Sequence, residues 1–445
     1  MNEQTPKGRL AMISLGCAKN LVNSEEMLAL LTQADYEIVP DMAEADAVII
    51  NTCGFINDAK TEAIDYILQA AALKQERPEL KIVVCGCLSQ RYRRDMPTEL
   101  PEVDAIMGTS NYEDIVAVVE RVLAGERAVE AFAPLNRPVP ELPRLVTTGP
   151  HWAYFRIAEG CDNRCAYCVI PSLRGPYRSR RMEELLAEAR SLAEGGVKEL
   201  IVVAQDITRY GQDLYGKASL AALLKELCKL DFHWIRLHYL YPEMIDEELI
   251  DVIASEEKIV KYLDIPIQHI NDGILRRMNR RGDGQMIRSL FARLRERIPA
   301  LVLRTSLIVG LPGEGEAEFE ELCTFLREAK IERAGVFPFS PEEGTPAAGM
   351  EDRCDGDEAQ RRAGLVMELQ GEVMDRWCES LVGQTIEVFV QGEEDGNLWG
   401  RSYADSPDID GRVVFEGWAE DGEFVPVKIR GCENGELWGV QVDEE

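Results

Sequence analysis

Cys161, Cys165 and Cys168 lie in the run Gly160-Cys-Asp-Asn-Arg-Cys-Ala-Tyr-Cys-Val169, three thiols within eight residues, where a strand-like segment opens into a loop. Soft ligands this close together make a metal site. Their number bears on which metal: structural zinc is closed by four ligands, whereas three thiolates leave an iron-sulfur cubane with one open iron, able to bind a reactant. A zinc site with a distant fourth ligand is the alternative from spacing alone, and a disulfide is the third reading.

Three further cysteines stand where short apolar runs end, in Leu15-Gly-Cys17-Ala-Lys-Asn, Asn51-Thr-Cys53-Gly-Phe and Gly86-Cys87-Leu-Ser-Gln-Arg. The runs Leu10–Leu15, Ala47–Ile50, Ile82–Cys85 and Ala105–Met107 alternate with amphipathic stretches, which predicts a doubly wound parallel sheet over residues 8–125. Ligands of such sheets bind outside the carboxyl ends of the strands, so the three cysteines can converge into a second cluster. Buried small hydrophobes are the alternative. Cys85, inside its run, reads as core; Cys228, Cys323, Cys354, Cys378 and Cys432 read as isolated thiols.

Residues 126–149 carry closely spaced prolines without periodicity and read as an extended linker. Alternation resumes over 150–378, with strands expected at 153–157, 199–204, 234–238, 263–267, 303–309 and 335–339. Helices are expected at 183–194, 218–230 and 314–329. Six such units form a partial (β/α)6 barrel, with its site at the carboxyl ends of the strands; the loop of Cys161 follows the first of them. Residues 379–445 change to five short alternating strands, the pattern of a small antiparallel β-barrel of the oligonucleotide-binding kind.

The chain has 445 residues, 12 cysteines and a formal charge of -30; from 381 to 445 it carries 16 acidic against 4 basic residues. Nucleic-acid affinity rests on Lys and Arg, so this surface suits a basic macromolecule better than a phosphodiester. The opening from Met1 to Gly8 is polar and no apolar run is long enough to span a bilayer, so a cytoplasmic location is expected, where cysteines serve as metal ligands or reduced core thiols.

The C-x-x-x-C-x-x-C spacing is similar to that of radical S-adenosylmethionine (SAM) enzymes, in which the open iron holds SAM. On that reading Tyr167 is placed against the adenine, Gln205 and Asp206 sit at a strand end near the cofactor, and Gly310, in Ile308-Val-Gly-Leu-Pro-Gly-Glu314, lets backbone approach it. Arg174, Arg178, Arg180 and Arg181 follow the loop; they pair with a cofactor or substrate carboxylate, or form a solvated loop. Arg276–Arg281 reads as surface. His238 and His269 face the site or are satisfied core residues.

Over nearly its whole length the chain resembles the methylthiotransferases, by the three amino-terminal cysteine motifs, the radical SAM core and a terminal TRAM barrel. The resemblance implies two [4Fe-4S] clusters, on Cys17, Cys53 and Cys87 and on Cys161, Cys165 and Cys168. It implies SAM as both methyl donor and radical source, with the amino-terminal cluster carrying the sulfur. Ile170-Pro-Ser-Leu-Arg-Gly-Pro-Tyr-Arg-Ser-Arg180, Gln205–Asp213, Leu263–His269 and Phe337–Pro346 are similar to the branch that acts on an aspartate β-carbon of small-subunit ribosomal protein twelve, free or on the subunit. Ile207-Thr208 departs from the Thr-Ser-like pair expected there. A low-potential electron donor is implied, and the sulfur donor is left open. Transfer-RNA adenosine methylthiolation and non-catalytic electron transfer are the alternative readings.

Overall fold

The computed structural model describes residues 6–443; Met1–Thr5, the start of the polar opening, and Glu444–Glu445, the end of the expected barrel segment, lie outside them. The amino-terminal apolar runs form an all-parallel sheet in the order 37–38, 9–14, 47–52, 81–86, 105–107, 129–131. Helices Ala18–Gln33 and Ile115–Leu123 cover one face and Asn57–Glu76 the other. Coverage on both sides explains why Ala47–Ile50 reads as an unbroken apolar run: every residue of the strand Ala47–Thr52 is buried. The stretch expected to be all linker begins instead as an edge strand, Val129–Ala131, paired with Ala105–Met107.

The central unit is an open six-stranded parallel sheet whose strands lie side by side in sequence order, from Trp152–Arg156 to Arg333–Pro338. One strand is displaced from its expected place: it runs over Ile259–Asp264, not 263–267. Pro266 has no amide hydrogen to donate, so the ladder ends before it. Helix Gly356–Leu381 then leads into the last unit, with the 378/379 boundary in its final turn. That unit is a closed barrel of strands 385–394, 397–402, 413–416, 436–441 and 424–433, with one parallel pairing, Val413–Glu416 with Glu436–Gln441. Among the described residues no helix is long and apolar enough to cross a membrane.

Buried charge joins the barrel to the central sheet. Glu199, with no exposed surface, accepts from Arg236 Nε (2.7 Å) and, across the interface, from Arg401 Nη2 (2.5 Å). Arg333 reaches Asp405 Oδ1 at 2.5 Å, and His238 Nε2 lies 3.0 Å from Ser406 Oγ. His238 is thus a satisfied interface residue; burial and the neighbouring Arg236 hold it neutral, well below its ordinary pKa. Burial opposes ionisation of Glu199, but Arg401 and Arg236 outweigh it and lower its pKa. The lock therefore stabilises the fold above the ordinary glutamate range and is lost as pH falls through the depressed value. Glu199→Gln strands two buried guanidinium groups and is expected to cost about 3–5 kcal/mol, read as a lower midpoint in denaturant unfolding at neutral pH.

Candidate functional site

Strands Arg9–Ser14, Ala47–Thr52 and Lys81–Gly86 are sheet neighbours, and Cys17, Cys53 and Cys87 follow their carboxyl ends. The loops close tightly. Gly16 takes φ +90°, and a Cβ on it would stand 2.6 Å from Cys53 Cβ. Asn51 Nδ2 donates to Asn20 O and Ser24 Oγ, both at 2.9 Å, tying helix Ala18–Gln33 to the strand that precedes Cys53. Cys17 caps helix Ala18–Gln33, where unpaired amides favour a thiolate. Burial and the charges of Cys87 and Cys17 push Cys53 up to about 12. Burial likewise raises Cys87, although Arg174 opposes it, whereas Cys17, exposed at its surface, is lowered by the neighbouring charges of Lys19 and Arg174. Thiols that raise one another's pKa coexist as thiolates only around a cation.

The second triad follows the first strand of the central sheet. Gly160, at φ +81°, allows the chain to pass Pro176 O, which a Cβ would strike. Cys161 N donates to Gly175 O (3.1 Å), Asn163 N to Cys161 Sγ (3.5 Å) and Cys168 N to Cys165 O (3.0 Å). Burial, opposed by the Asn163 amide, pushes Cys161 up to about 11. Burial and the charge of Cys165 also raise Cys168. Arg280 Nη1 and Tyr241 Oη each lie 3.9 Å from Cys165 Sγ, and the Arg280 guanidinium stacks 4.5 Å from the Tyr241 ring. Across the domain boundary Cys87 and Phe55 pack with Val169 and Leu173, in the segment that follows Cys168. Among the described residues, no group of three or more His, Cys, Asp or Glu side chains is placed to hold a metal ion. The donor chemistry of the six thiols is nonetheless the soft kind that iron-sulfur clusters take.

Buried polar atoms without partners include Asn163 Oδ1 in the cysteine loop and Gln205 Oε1, Arg209 Nη2 and Glu243 Oε2 near it. Buried polar groups are ordinarily paired, so this set fits a polar ligand such as the amino-acid end of SAM. Tyr167 is half-buried and packs with Ala166, Met278 and Leu311. Gln205 Nε2 donates to Glu159 Oε1 at 2.8 Å, which leaves its oxygen free. Asp206 is occupied: Asn163 Nδ2 donates to it at 2.9 Å and Thr208 N at 3.0 Å, so it fixes the cysteine loop to the next strand end. Gly310 takes φ +76°, and its missing Cβ would meet Ala359 Cβ at 2.5 Å. Its close approach is to helix Gly356–Leu381.

Arg174, Arg178 and Arg180 form neither a solvated loop nor a free carboxylate clamp, whereas Arg181 is exposed. Arg174 is fully buried and donates to Asn23 Oδ1 (2.8 Å), Asn20 Oδ1 (2.9 Å) and Glu159 Oε2 (3.1 Å). Arg180 is held by Glu188 and Glu141, and Arg178 donates to backbone oxygens at Arg174 and Pro176. Arg280, expected at the surface, is buried against Cys165. His269 Nδ1 accepts from Asn271 N at 3.0 Å, and its Nε2 stands 3.5 Å from Glu314 Oε2. Lys19, Glu159, Tyr239, Tyr241 and Glu243 were not singled out from the sequence, since each is a single residue outside the cysteine spacing. The only signal was adjacency: Lys19 and Glu159 lie two residues from Cys17 and Cys161.

An open parallel sheet with a three-cysteine loop after its first strand defines a radical SAM core, and residues 155–326 match the radical SAM superfamily. Residues 9–108 match a family described as uncharacterized protein family UPF0004, and residues 382–442 match the TRAM domain. The chain is 47% identical to the ribosomal protein uS12 methylthiotransferase RimO of Acetivibrio thermocellus, covering 98% of this chain and 99% of that one. It is 46% identical to the RimO of Trichlorobacter lovleyi, again covering 98% and 99%. The chain belongs to the RimO family of methylthiotransferases, and it is an enzyme that transfers sulfur-containing groups. Among solved structures it is similar in fold to the radical SAM methyltransferase TsrM of Kitasatospora setae, with TM-score 0.56, 15% identity and 76% of each chain covered. It is also similar in fold to the cobalamin-dependent radical SAM enzyme OxsB, with TM-score 0.53, 14% identity and 82% of this chain and 56% of that one covered.

Proposed function

We propose that this enzyme methylthiolates the β-carbon of an aspartate in ribosomal protein uS12, using one [4Fe-4S] cluster on Cys161, Cys165 and Cys168 and another on Cys17, Cys53 and Cys87. The observation that carries this reading is the packing of Cys87, at the third of the amino-terminal strand ends, against Val169 and Leu173, in the segment that follows Cys168. With SAM at the core triad, the bound group supplies hydrogen abstraction and a methyl group. The chain does the rest. The Asn163, Gln205, Arg209 and Glu243 atoms left unpaired orient the amino-acid end, and Tyr167 packs against the adenine. Asp206 and Gly310 support that wall from behind. Val169, Leu173 and Phe55 exclude water between the triads.

The names of the relatives supply uS12 as the substrate, and the net charge of -30 suits a basic ribosomal protein. Reducing equivalents come from an external low-potential donor. The test offers uS12 and unmodified transfer RNA together to anaerobically reconstituted enzyme with SAM and a low-potential reductant, and locates methylthio groups by mass spectrometry. A methylthio-aspartate in the protein with unchanged RNA is expected; modification of RNA alone would overturn the substrate assignment.

A further inference from the structure

The turn that follows the last strand of the central sheet reaches a cysteine-bearing loop on each side of the domain boundary. Its carboxylate, Glu342, is 4% exposed and accepts from two cations of the amino-terminal domain, Arg91 Nη1 at 2.7 Å and Lys60 Nζ at 2.9 Å. The same Arg91 Nη1 donates to Gly54 O (2.9 Å), and its Nη2 donates to Glu343 O (2.9 Å). One guanidinium thus ties the backbone beside Cys53 to the turn. A pair held this far from solvent is little screened, and removing one partner strands the charges of the others.

Further along the same turn, the amide of Ala347, fully buried, donates to Ala166 O at 2.9 Å, between Cys165 and Tyr167. Ala347 packs there with Ile274, Met278 and Leu311. The stretch between the two contacts is stiffened from within. Ser340 Oγ donates to Glu342 Oε1 (2.6 Å), Thr345 Oγ1 to Glu342 O (2.7 Å) and Ala348 N to Thr345 Oγ1 (3.3 Å). A short spacer of fixed shape therefore rests on the core loop at one end and grips the amino-terminal domain at the other.

We infer that Glu342 is a positioning residue: its grip on Lys60 and Arg91 seats the amino-terminal domain on the core, keeping sulfur delivery in step with hydrogen abstraction. This rests on the assignment of the sulfur to the amino-terminal triad. Arg174, with Asn20 and Asn23, holds another part of the same boundary, so weakening the grip of Glu342 loosens the seat without detaching the domain.

Hydrogen exchange on the iron-free chain reads the seat, and product analysis on the reconstituted enzyme reads its consequence. In Glu342→Gln, amides of residues 54–60 and 340–347 are expected to exchange about tenfold faster, while strands Ala47–Thr52 and Glu199–Val203 keep their protection. Iron content and SAM cleavage should stay at the unchanged level. The 5'-deoxyadenosine formed per methylthio group on uS12 should rise about tenfold, because hydrogen abstraction then outruns a misplaced sulfur. Lys60→Met, which leaves the Arg91 pair in place, should show a smaller shift in both readings, and it decides the matter if Glu342→Gln loses protection throughout. Unaltered exchange at both segments, or faster exchange with an unaltered product ratio, would overturn the assignment. If the unchanged enzyme forms no methylthio group on uS12, the uS12 reading falls first and the coupling with it, while the exchange comparison still decides whether Glu342 holds the seat.

Discussion

Replacing Cys165 by alanine is expected to reduce SAM cleavage to the background of the reductant alone and to lower the iron retained after anaerobic reconstitution by about half. The side chain is buried, with Arg280 and Tyr241 each 3.9 Å from its sulfur. Alanine removes one atom and leaves the backbone bond from Cys168 N to Cys165 O intact. The loss is therefore chemical rather than structural: two thiolates cannot hold three corners of a cube. Formation of 5'-deoxyadenosine, followed by chromatography, checks it. Undiminished cleavage would show that the third ligand lies elsewhere.

Cys53 to alanine separates the two triads in the opposite sense. Iron should again fall by about half, yet SAM cleavage should remain within about twofold of the unchanged enzyme, because the perturbation lies in another domain with its own core. Methylthiolation of uS12 should vanish, since the sulfur is assigned to the amino-terminal triad. Mass spectrometry of the substrate beside the cleavage assay reads both. Sulfur insertion that survives would end this division of labour, and joint loss of both activities would show that the core depends on the amino-terminal cluster.

The cysteines were legible because each triad sits where a strand pattern stops, and periodicity reveals strand ends even when contacts are invisible. Parallel pairing then brings Cys17, Cys53 and Cys87 together, since their strands are sheet neighbours. The strand at Ile259–Asp264 was misplaced because the apolar residues beyond it, Ile265 and Ile267, are equally buried and mimic a continuing run. Only the missing amide of Pro266 marks the stop. The arginines after Cys168 escaped correct reading for a different reason. Their partners, Asn20, Asn23 and Glu141, are far away in sequence, and no local pattern announces an ion pair closed by the approach of another domain. Lys19 was missed likewise, as its environment is made by Tyr239 of the central sheet.

Laid out along the chain, the three units look interchangeable, a sheet, a sheet and a barrel joined in series. The lock at Glu199 says otherwise. Arg401 belongs to the barrel but is neutralised by the central sheet, and Arg333 of the central sheet by Asp405 of the barrel. A barrel moved onto another core would carry Arg401 and Asp405 into a seam without their complements, each burying an unmatched charge. The unit that can be exchanged is therefore the barrel together with Glu199, Arg236 and Arg333, so recombination within this architecture has to cut ahead of Glu199, between the first and second strands of the central sheet.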